Sequence, residues 1–301
     1  MEHDLQNHHR VTLSILIPTY NFSARALVHE LHTLAATENV EAEIIIGDDA
    51  STDDMGWLYE VQTLPGVRLW STAVNLGRAH ICNALARAAR GQWLLIVDAD
   101  ARVPDDFSLR RYLDDTRQAP VVCGGLRHPE VNPCPEATLR YKYERAADRH
   151  RSAAERQQRP YMQLSTFNLL VQRDIFMGIG FDEQCTDYGY EDALFGVELL
   201  ERGIGILHTD NALVHTGLEP NAVYLHKTET ALHTLRGLNG RMHGHSRVEN
   251  VANGLRRWQL AWLVRAIYCF TRPILRWNLL GKHPSLRVFA FYKLGYYLSL
   301  K

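Results

Sequence analysis

Short apolar runs alternate with amphipathic stretches through the first hundred residues of the chain. The pattern predicts strands at 13–18, 43–49, 67–70 and 91–100, separated by helices at 22–37, 51–64 and 78–90. Near-continuous apolar runs are typical of strands that are covered on both faces. Strands and helices that alternate with short connections predict a parallel sheet with right-handed crossovers. The fold class is therefore α/β.

The pattern becomes less regular after Asp105. It predicts a helix, a strand at 120–124, a helix at 136–158, an extended segment at 161–171, a helix at 191–202, and short strands at 205–208 and 212–215. From about Tyr224 onward the spacing of apolar residues predicts helices. The chain thus divides into an α/β part at 1–220 and a helical C-terminal region at 221–301.

Charge is distributed unevenly along a chain of otherwise ordinary composition. The formal net charge is −1, yet residues 251–301 hold six Arg, three Lys and no Asp or Glu. In 255–301 these cations are interleaved with Trp, Tyr, Phe and Leu, which is typical of helices that lie on a membrane surface. A helical subdomain packed on the rest of the chain, with solvated charges, explains the composition too. Nucleic acid is not an expected partner, because the first half offers no basic face or known motif.

The cysteines and the N-terminal segment indicate a cytoplasmic location. Five cysteines are scattered without a CxxC pair, which predicts reduced thiols. The segment MEHDLQNHHR is polar and does not have the pattern of a signal peptide. No charge-free apolar run approaches the roughly 20 residues of a spanning helix. We expect a cytoplasmic protein, peripheral on the inner face of the membrane.

Polar residues end three of the predicted strands: PTYN at 18–21, DD at 48–49 and DAD at 98–100. Ligands of open α/β sheets bind beyond the carboxyl ends of the strands. Carboxylates that face one crevice repel each other unless a cation, such as a divalent ion that also binds a diphosphate, lies between them. In an extended backbone, residues i and i+2 lie on the same side, so Asp98 and Asp100 are predicted to enter one crevice. Solvated or helix-capping carboxylates explain an isolated DxD pair as well, but its position after a buried strand favours a function.

Two further positions near this crevice suit a nucleotide. Asp49 can accept the ring N–H of uracil or guanine. Gly77 permits close approach of the backbone, and Arg78 can pair with a diphosphate, although an ordinary helix start with a solvated arginine explains the pair equally. Ser51 and Asp53 are predicted to cap the helix that follows.

Several motifs occur in a characteristic order between residues 11 and 217. They are SILIPTYN (14–21), IIIGDDASTD (44–53), NLGRA (75–79), ARGQWLLIVDAD (89–100), NLLVQRDIF (168–176), GIGFDE (178–183) and YGYEDALFGVELLERG (188–203). With these motifs the sequence resembles the inverting family 2 glycosyltransferases, which have the GT-A fold. The resemblance implies a nucleotide-sugar half at about 11–100 and an acceptor half at about 101–220.

The resemblance also implies a role for each matching residue. The expected nucleotide-sugar-binding residues are Pro18, Tyr20, Asp49, Arg78, Asp98 and Ala99. Asp100 would bind Mn²⁺ or Mg²⁺, and His215, which lies 23 residues after Asp192, would join it. A lone histidine at a strand end is also often structural. Asp192 would be the general base, with Glu191 beside it to position the acceptor or the donor sugar.

These roles imply transfer of a sugar from a nucleotide sugar, UDP-linked by expectation, to a saccharide or a lipid-linked acceptor. The QxxRW motif of processive family members has no counterpart, which favours addition of one or a few sugars in polysaccharide biosynthesis. Two alternatives stay open. A sugar-phosphate nucleotidyltransferase shares the architecture but needs a glycine-rich basic loop where this chain has PTYNFSARAL. A catalytically inactive nucleotide-sugar-binding protein is disfavoured by the intact aspartates.

Overall fold

A computed structural model describes residues 12–184, 189–238, 240–242 and 244–300. The N-terminal segment at 1–11 and Tyr188, the first residue of the motif at 188–203, lie outside the described residues.

Ten strands and twelve helices follow one another within these ranges. The strands are β1 (Leu13–Thr19), β2 (Ala42–Asp48), β3 (Val67–Ser71), β4 (Trp93–Val97), β5 (Ala101–Arg102), β6 (Val121–Cys123), β7 (Leu126–Arg127), β8 (Asn168–Gln172), β9 (Ile206–His208) and β10 (Leu213–His215). The helices are α1 (Arg25–Thr37), α2 (Trp57–Val61), α3 (Arg78–Ala88), α4 (Leu109–Asp115), α5 (Thr138–Asp148), α6 (Ala153–Gln157), α7 (Arg173–Ile179), α8 (Glu191–Glu201), α9 (Asn221–Gly237), α10 (Arg247–Arg257), α11 (Ala261–Leu280) and α12 (Leu286–Ser299).

The central sheet has seven strands in the order β3-β2-β1-β4-β8-β6-β9. The first four strands pair in parallel, as the alternating pattern predicts. Strand β8 runs antiparallel to both β4 and β6, so the sheet is mixed rather than wholly parallel. Alternate residues of β1 enter opposite cores: Ile15 and Ile17 pack on one face and Leu16 on the other. The predicted α/β class is confirmed.

A second sheet of three strands, ordered β5-β10-β7, lies at the end of the DxD segment. Strand β10 pairs antiparallel with β5, and this register places His215 opposite Ala101. The pairing brings a residue far along the chain next to the residue that follows Asp100.

The C-terminal helices share a core with the α/β part. Leu194 of α8 packs in one cluster with Leu232 and Leu235 of α9, and Leu139 of α5 packs with Leu225 and Phe289. No described helix is both long enough and apolar enough to cross a bilayer.

Three local predictions were wrong in detail. The helix predicted at 51–64 is only the short α2, whose N-cap is Gly56, so Ser51 and Asp53 do not cap it. The helix predicted at 136–158 is interrupted between α5 and α6. The segment 98–100 is a turn, in which the Ala101 N–H donates to the Asp98 carbonyl, and not the extended backbone assumed for the DxD pair.

Candidate active site

A cleft of about 660 Å³ opens beyond the carboxyl ends of β1, β2 and β4. Eight of the ten predicted site residues line it: Pro18, Tyr20, Asp49, Arg78, Asp98, Ala99, Asp100 and Glu191. The other two do not line it: Asp192 Oδ1 lies 3.6 Å from Arg78 Nη1 and Asp192 lines a separate smaller cavity, whereas His215 Nε2 lies 3.0 Å from Asp100 Oδ2. The structure therefore gathers all ten predicted side chains into one region.

Asp49 is buried at the floor of the cleft, with 3% of its surface exposed. Its Oδ1 accepts from the Leu76 N–H at 2.8 Å and its Oδ2 from the Gly77 N–H at 2.8 Å. The carboxylate thus fixes the loop before α3, where Gly77 adopts a φ of +86° that favours glycine. Oδ1 also accepts from the Thr72 hydroxyl at 3.2 Å, so Oδ2 is the oxygen that keeps a lone pair for a further donor.

Asn21 joins two of the loops that form the cleft. Its Oδ1 accepts from the Thr52 N–H at 2.7 Å, and its own N–H donates to Ser51 Oγ at 2.8 Å. The residue has a φ of +50°, a conformation that asparagine tolerates better than most side chains. Ser51 therefore bridges loops instead of capping a helix.

Arg78 lies between three carboxylates. It donates to Asp98 Oδ1 from Nη2 at 2.6 Å and from Nε at 3.2 Å. Its Nη1 lies 3.6 Å from Glu191 Oε1 and 3.6 Å from Asp192 Oδ1. Burial acts to lower the pKa of Arg78, but the surrounding carboxylates raise it above the usual range. One cation thus balances acids that arrive from two separate elements, β4 and α8.

The two acids at the start of α8 differ in environment. Asp192 accepts from the Thr166 N–H at 3.1 Å and from the Thr166 hydroxyl. Burial, together with the charge of Asp192, raises the pKa of Glu191, while Arg78 opposes the shift. Tyr190, which directly precedes them, adopts a left-handed backbone with φ +73°. Strain at such a residue costs about 1–3 kcal/mol and is often found at functional sites.

Asp100 lines the cleft and pairs with the buried His215, which does not line it. His215 Nε2 lies 3.0 Å from Asp100 Oδ2, and His215 Nδ1 lies 3.2 Å from Glu144 Oε2. Burial acts to lower the pKa of His215, but hydrogen bonds to these carboxylates raise it to about 9. Gly217 packs so closely that any Cβ there would overlap the Asp100 carboxylate.

Behind His215 lies a buried network of charged groups. Arg140 Nε donates to Glu144 Oε1 at 2.9 Å, and its Nη2 lies 3.1 Å from His215 Nε2. His128 pairs with Glu144 and, through Nδ1, with Asp148 at 2.9 Å. Burial acts to raise the pKa of Glu144, but the histidines and Arg140 lower it well below its usual range.

The 3.0 Å between Asp100 Oδ2 and His215 Nε2 is a hydrogen-bond distance that two ligands of one divalent ion also have, and Arg140 Nη2 lies 3.1 Å from the same Nε2. Two ligands at right angles on an ion with bond lengths of about 2.1 Å lie about 3.0 Å apart. The 3.0 Å between Asp100 Oδ2 and His215 Nε2 equals this ligand-to-ligand distance. The hydrogen bond from Nδ1 to Glu144 is the arrangement that usually orients a metal-binding histidine. His128, Glu144 and His215 also present three ligand atoms within 4.8 Å of one another.

Sequence reasoning missed several residues of the site. They are Thr166, Glu219 and Lys227, together with the supporting residues His128, Arg140 and Glu144. Lys227 pairs with Glu219, and both line the cleft. The charged helix at 136–158 was a signal for Arg140 and Glu144, but nothing in its spacing indicates which side faces the cleft.

Comparison with known proteins identifies the class of this fold and site. The family model described as glycosyl transferase family 2 matches residues 14–179, more than half of the chain. The chain therefore belongs to glycosyl transferase family 2 and is a glycosyltransferase of the GT-A fold. This membership disfavours both alternatives raised from the sequence.

Two curated relatives match over shorter regions. The succinoglycan biosynthesis protein ExoO of Rhizobium meliloti (strain 1021) is 33% identical over 102 residues, 34% of this chain and 29% of the relative. The uncharacterized protein MT1568 of Mycobacterium tuberculosis (strain CDC 1551 / Oshkosh) is 33% identical over 91 residues, 30% of this chain and 28% of the relative. The chain thus covers less than a third of each relative.

Solved structures share the fold across nearly the whole chain. TarS 1–349 of S. aureus has a TM-score of 0.52 at 17% identity and covers 95% of this chain and 89% of that one. The mannosyltransferase PcManGT of Pyrobaculum calidifontis, in complex with GDP-Man and Mn²⁺, has a TM-score of 0.56 at 17% identity, covering 96% and 85%. At such identities the likeness shows the fold.

Proposed function

We propose that this glycosyltransferase is metal-dependent and non-processive, and that it transfers one or a few sugars per encounter, with inversion, from a nucleoside-diphosphate sugar to a hydroxyl of a saccharide or lipid-linked acceptor. The observation that carries the proposal is the cleft lined by Asp98, Asp100 and Glu191, with His215 3.0 Å from Asp100 just outside the lining. A UDP-linked donor is the first candidate. Structural neighbours include TarS in complex with UDP-GlcNAc and PcManGT in complex with GDP-Man.

In this proposal the donor binds along the carboxyl ends of the strands. Pro18 and Tyr20 contact the nucleoside, and Asp49, held by the loop before α3, accepts the ring N–H of the base. Asp98 and the backbone at Ala99 contact the ribose or the donor sugar. Arg78 faces the diphosphate, and its present partner Asp98 lies on the same side of the cleft.

Asp100 and His215 are proposed to hold Mn²⁺ or Mg²⁺. The ion would supply Lewis acidity that neutralises the departing diphosphate. A histidine among the ligands inclines the choice slightly toward Mn²⁺. Gly217 leaves the Asp100 carboxylate the space it needs, and Glu144 fixes the orientation of the imidazole.

Asp192 is proposed as the general base. Its hydrogen bonds from Thr166 fix the carboxylate, and Glu191 beside it positions a sugar. In a single in-line step the acceptor oxygen bonds to the anomeric carbon. The bond from that carbon to the diphosphate breaks, the nucleoside diphosphate leaves with the electron pair, and the acceptor proton passes to Asp192. One displacement of this kind inverts the anomeric configuration.

The test is a screen of nucleotide sugars for release of free nucleoside diphosphate, with Mn²⁺, Mg²⁺ or a chelator present. We expect turnover of one donor that the chelator abolishes and Mn²⁺ restores. Turnover that is insensitive to the chelator would refute the metal dependence.

The Asp192→Asn variant tests the base. Because a positioned base contributes roughly 10²–10⁴-fold, transfer should fall by that factor while the donor still binds. Asp174→Asn is the matched control, since Asp174 also lies in the first turn of a helix, α7, outside the cleft. Unchanged transfer in Asp192→Asn contradicts the assignment.

We further propose that the enzyme works as a peripheral protein on the inner, cytoplasmic face of the membrane, on a lipid-linked acceptor in polysaccharide biosynthesis. Support comes from α11 and the residues just before it, where large apolar side chains are exposed: Trp258, Trp262, Ile267, Phe270, Ile274 and Trp277. Arginines of the same segment suit anionic lipid headgroups, each contributing about 1 kcal/mol. The relative ExoO is described as a succinoglycan biosynthesis protein.

A further inference from the structure

A second cavity, of about 760 Å³, lies between the α/β part and the C-terminal helices. Its walls come from α5, α9, α10 and α12 and from Tyr190, the residue before α8. The residues that matter here are Tyr143, Tyr190, Tyr224, Arg247, Phe289 and Lys293. None of them lines the first cleft.

The second cavity is lined by more cations than acids, with Arg140, Arg247 and Lys293 against Glu144, while the buried Glu249 lies near Tyr190 without lining the cavity. Among its described lining residues Glu144 is the one acid, and that acid is already paired with Arg140 and two histidines. Lys293 Nζ lies 4.4 Å from the ring centroid of Tyr143 and 4.6 Å from that of Phe289. No described carboxylate lies within ion-pair distance of Lys293 or Arg247.

Aromatic side chains form much of the remaining wall. Tyr143 and Phe289 meet edge to face with centroids 5.4 Å apart, and the rings of Tyr224 and Phe289 are 5.8 Å apart. Ligand pockets combine such apolar faces with a few polar groups that fix orientation. The faces of sugar rings and of isoprenoid chains both suit this wall, whereas a small inorganic anion would leave it uncovered.

Two contacts connect the second cavity with the site of transfer. Tyr190 lines the cavity and holds its strained backbone immediately before Glu191 and Asp192. On the other wall, Glu144 is bonded to His215, which faces Asp100. A molecule in the second cavity therefore lies next to residues that hold both the acids and the histidine.

We infer that the second cavity binds the acceptor, and that this acceptor carries an anionic group, phosphate or diphosphate, beside an apolar or ring face. Arg247 and Lys293 bind the anion, and the aromatic wall covers the adjoining ring or chain. The inference rests on the proposed function, because it supplies the acceptor class for that same transfer. It adds a binding site and no new chemical step.

The experiment measures binding of three probes to the full chain by calorimetry: glucose 1-phosphate, farnesyl diphosphate and the neutral sugar maltose. We expect at least one anionic probe to bind saturably and maltose not to bind. Binding of glucose 1-phosphate alone indicates a soluble phosphorylated acceptor, and binding of farnesyl diphosphate indicates a lipid-linked one. Absence of saturable binding by either anionic probe overturns the inference.

Substitutions of the two cations in the second cavity test whether the probe binds there. Arg247→Ala and Lys293→Ala should each weaken the anionic probe by about tenfold or more, since each removes a charged partner. Arg117→Ala is the matched control, because its side chain is exposed and lines neither cavity. Equal affinity in all variants, or displacement of the probe by UDP, overturns the inference.

The outcome is distinguishable from failure of the proposed function. Nucleotide-sugar binding at the first cleft is measured on the same variants. If the variants still bind the donor but no longer bind the probe, the second cavity is supported as the acceptor site. If the protein binds the probe normally but binds no donor, the proposed function alone is contradicted.

Discussion

Single residues set the geometry of the candidate metal site. Asp100 leaves the central sheet in a turn, and His215 reaches it because β10 pairs with β5. Gly217, two residues after His215, has no Cβ where one would overlap the Asp100 carboxylate. The position of the Asp100 carboxylate therefore depends on residue 217 being a glycine, which has no side chain.

Gly217→Ala tests this dependence. The added methyl should displace the Asp100 carboxylate, so that Mn²⁺ binding falls by about 10–100-fold, the loss typical when support for a metal ligand is removed. Gly254→Ala is the matched control, because a Cβ there meets nothing within 4 Å. Mn²⁺ titration by paramagnetic resonance compares the two. Equal affinities would contradict the proposed role of Asp100.

At the scale of residues, the sequence predicted which side chains lie close together but not which of them form hydrogen bonds or ion pairs with each other. Asp98, Asp100 and Asp192 were found from motif and position. The Arg78 cluster and the Thr166 hydrogen bonds depend on which side chains face each other across separate elements. Glu219 and Lys227 follow no pattern that distinguishes them from solvated surface charges.

Elements are joined at the opposite end of the sheet by one buried acid. Glu43 of β2 accepts from the Ser14 hydroxyl at 2.7 Å, from the Arg90 N–H at 2.6 Å and from Arg68 at 2.8 Å. The Gly91 N–H donates to Ser14 Oγ at 2.8 Å, and a Cβ on Gly91 would lie 2.6 Å from the Ser14 nitrogen. Gly91 is thus required by the close packing of the turn before β4.

Glu43→Gln should lower the free energy of unfolding by about 1–3 kcal/mol at neutral pH. Burial acts to raise the pKa of Glu43, but its hydrogen bonds and Arg68 lower it below the ordinary value of a glutamate. A lowered folded-state pKa gives stability that is present above the unfolded value and is lost as pH falls through the folded one. The difference between variant and wild type, from urea unfolding, should therefore shrink below pH 4.5. A difference that is constant with pH would contradict this account.

Helix α11 presents an apolar face that no described element covers. Phe270 is 87% exposed and Trp277 is 79% exposed, whereas Tyr268 and Leu279 of the same helix are buried against α12 and its neighbours. One side of α11 thus holds it to the protein, and the other is exposed.

The double variant Phe270→Ser/Trp277→Ser tests the membrane proposal. Burying one large apolar side chain is worth about 1.5–3 kcal/mol, so binding to vesicles of phosphatidylglycerol and phosphatidylcholine should fall at least tenfold. Tyr59→Ser is the control, because Tyr59 is 78% exposed on α2. Wild-type protein that does not sediment with such vesicles refutes the proposal.

At the scale of elements, apolar runs and strand–helix alternation predicted the parallel half of the sheet. They did not predict that β8 inserts antiparallel between β4 and β6, because a buried strand has the same composition in either direction. The pairing of β10 with β5 was equally hidden, since each strand has only two or three residues.

Across the whole molecule, the donor cleft and the second cavity share helix α9. Lys227 of α9 lines the cleft, and Tyr224 of the same helix lines the second cavity. Residues on both sides of the predicted boundary between 220 and 221, such as Glu219 and Lys227, line the same cleft. The basic C-terminal region contributes to the cleft as well as to a candidate membrane surface.

The most direct test of the central claim is a crystal structure with Mn²⁺ and a nucleotide sugar, in which anomalous scattering locates the ion. The account predicts one manganese bound by Asp100, with His215 as a second protein ligand and the donor diphosphate completing its coordination. A manganese ion elsewhere, or a diphosphate bound in the cleft by Arg78 and Lys227 without any ion, would contradict it.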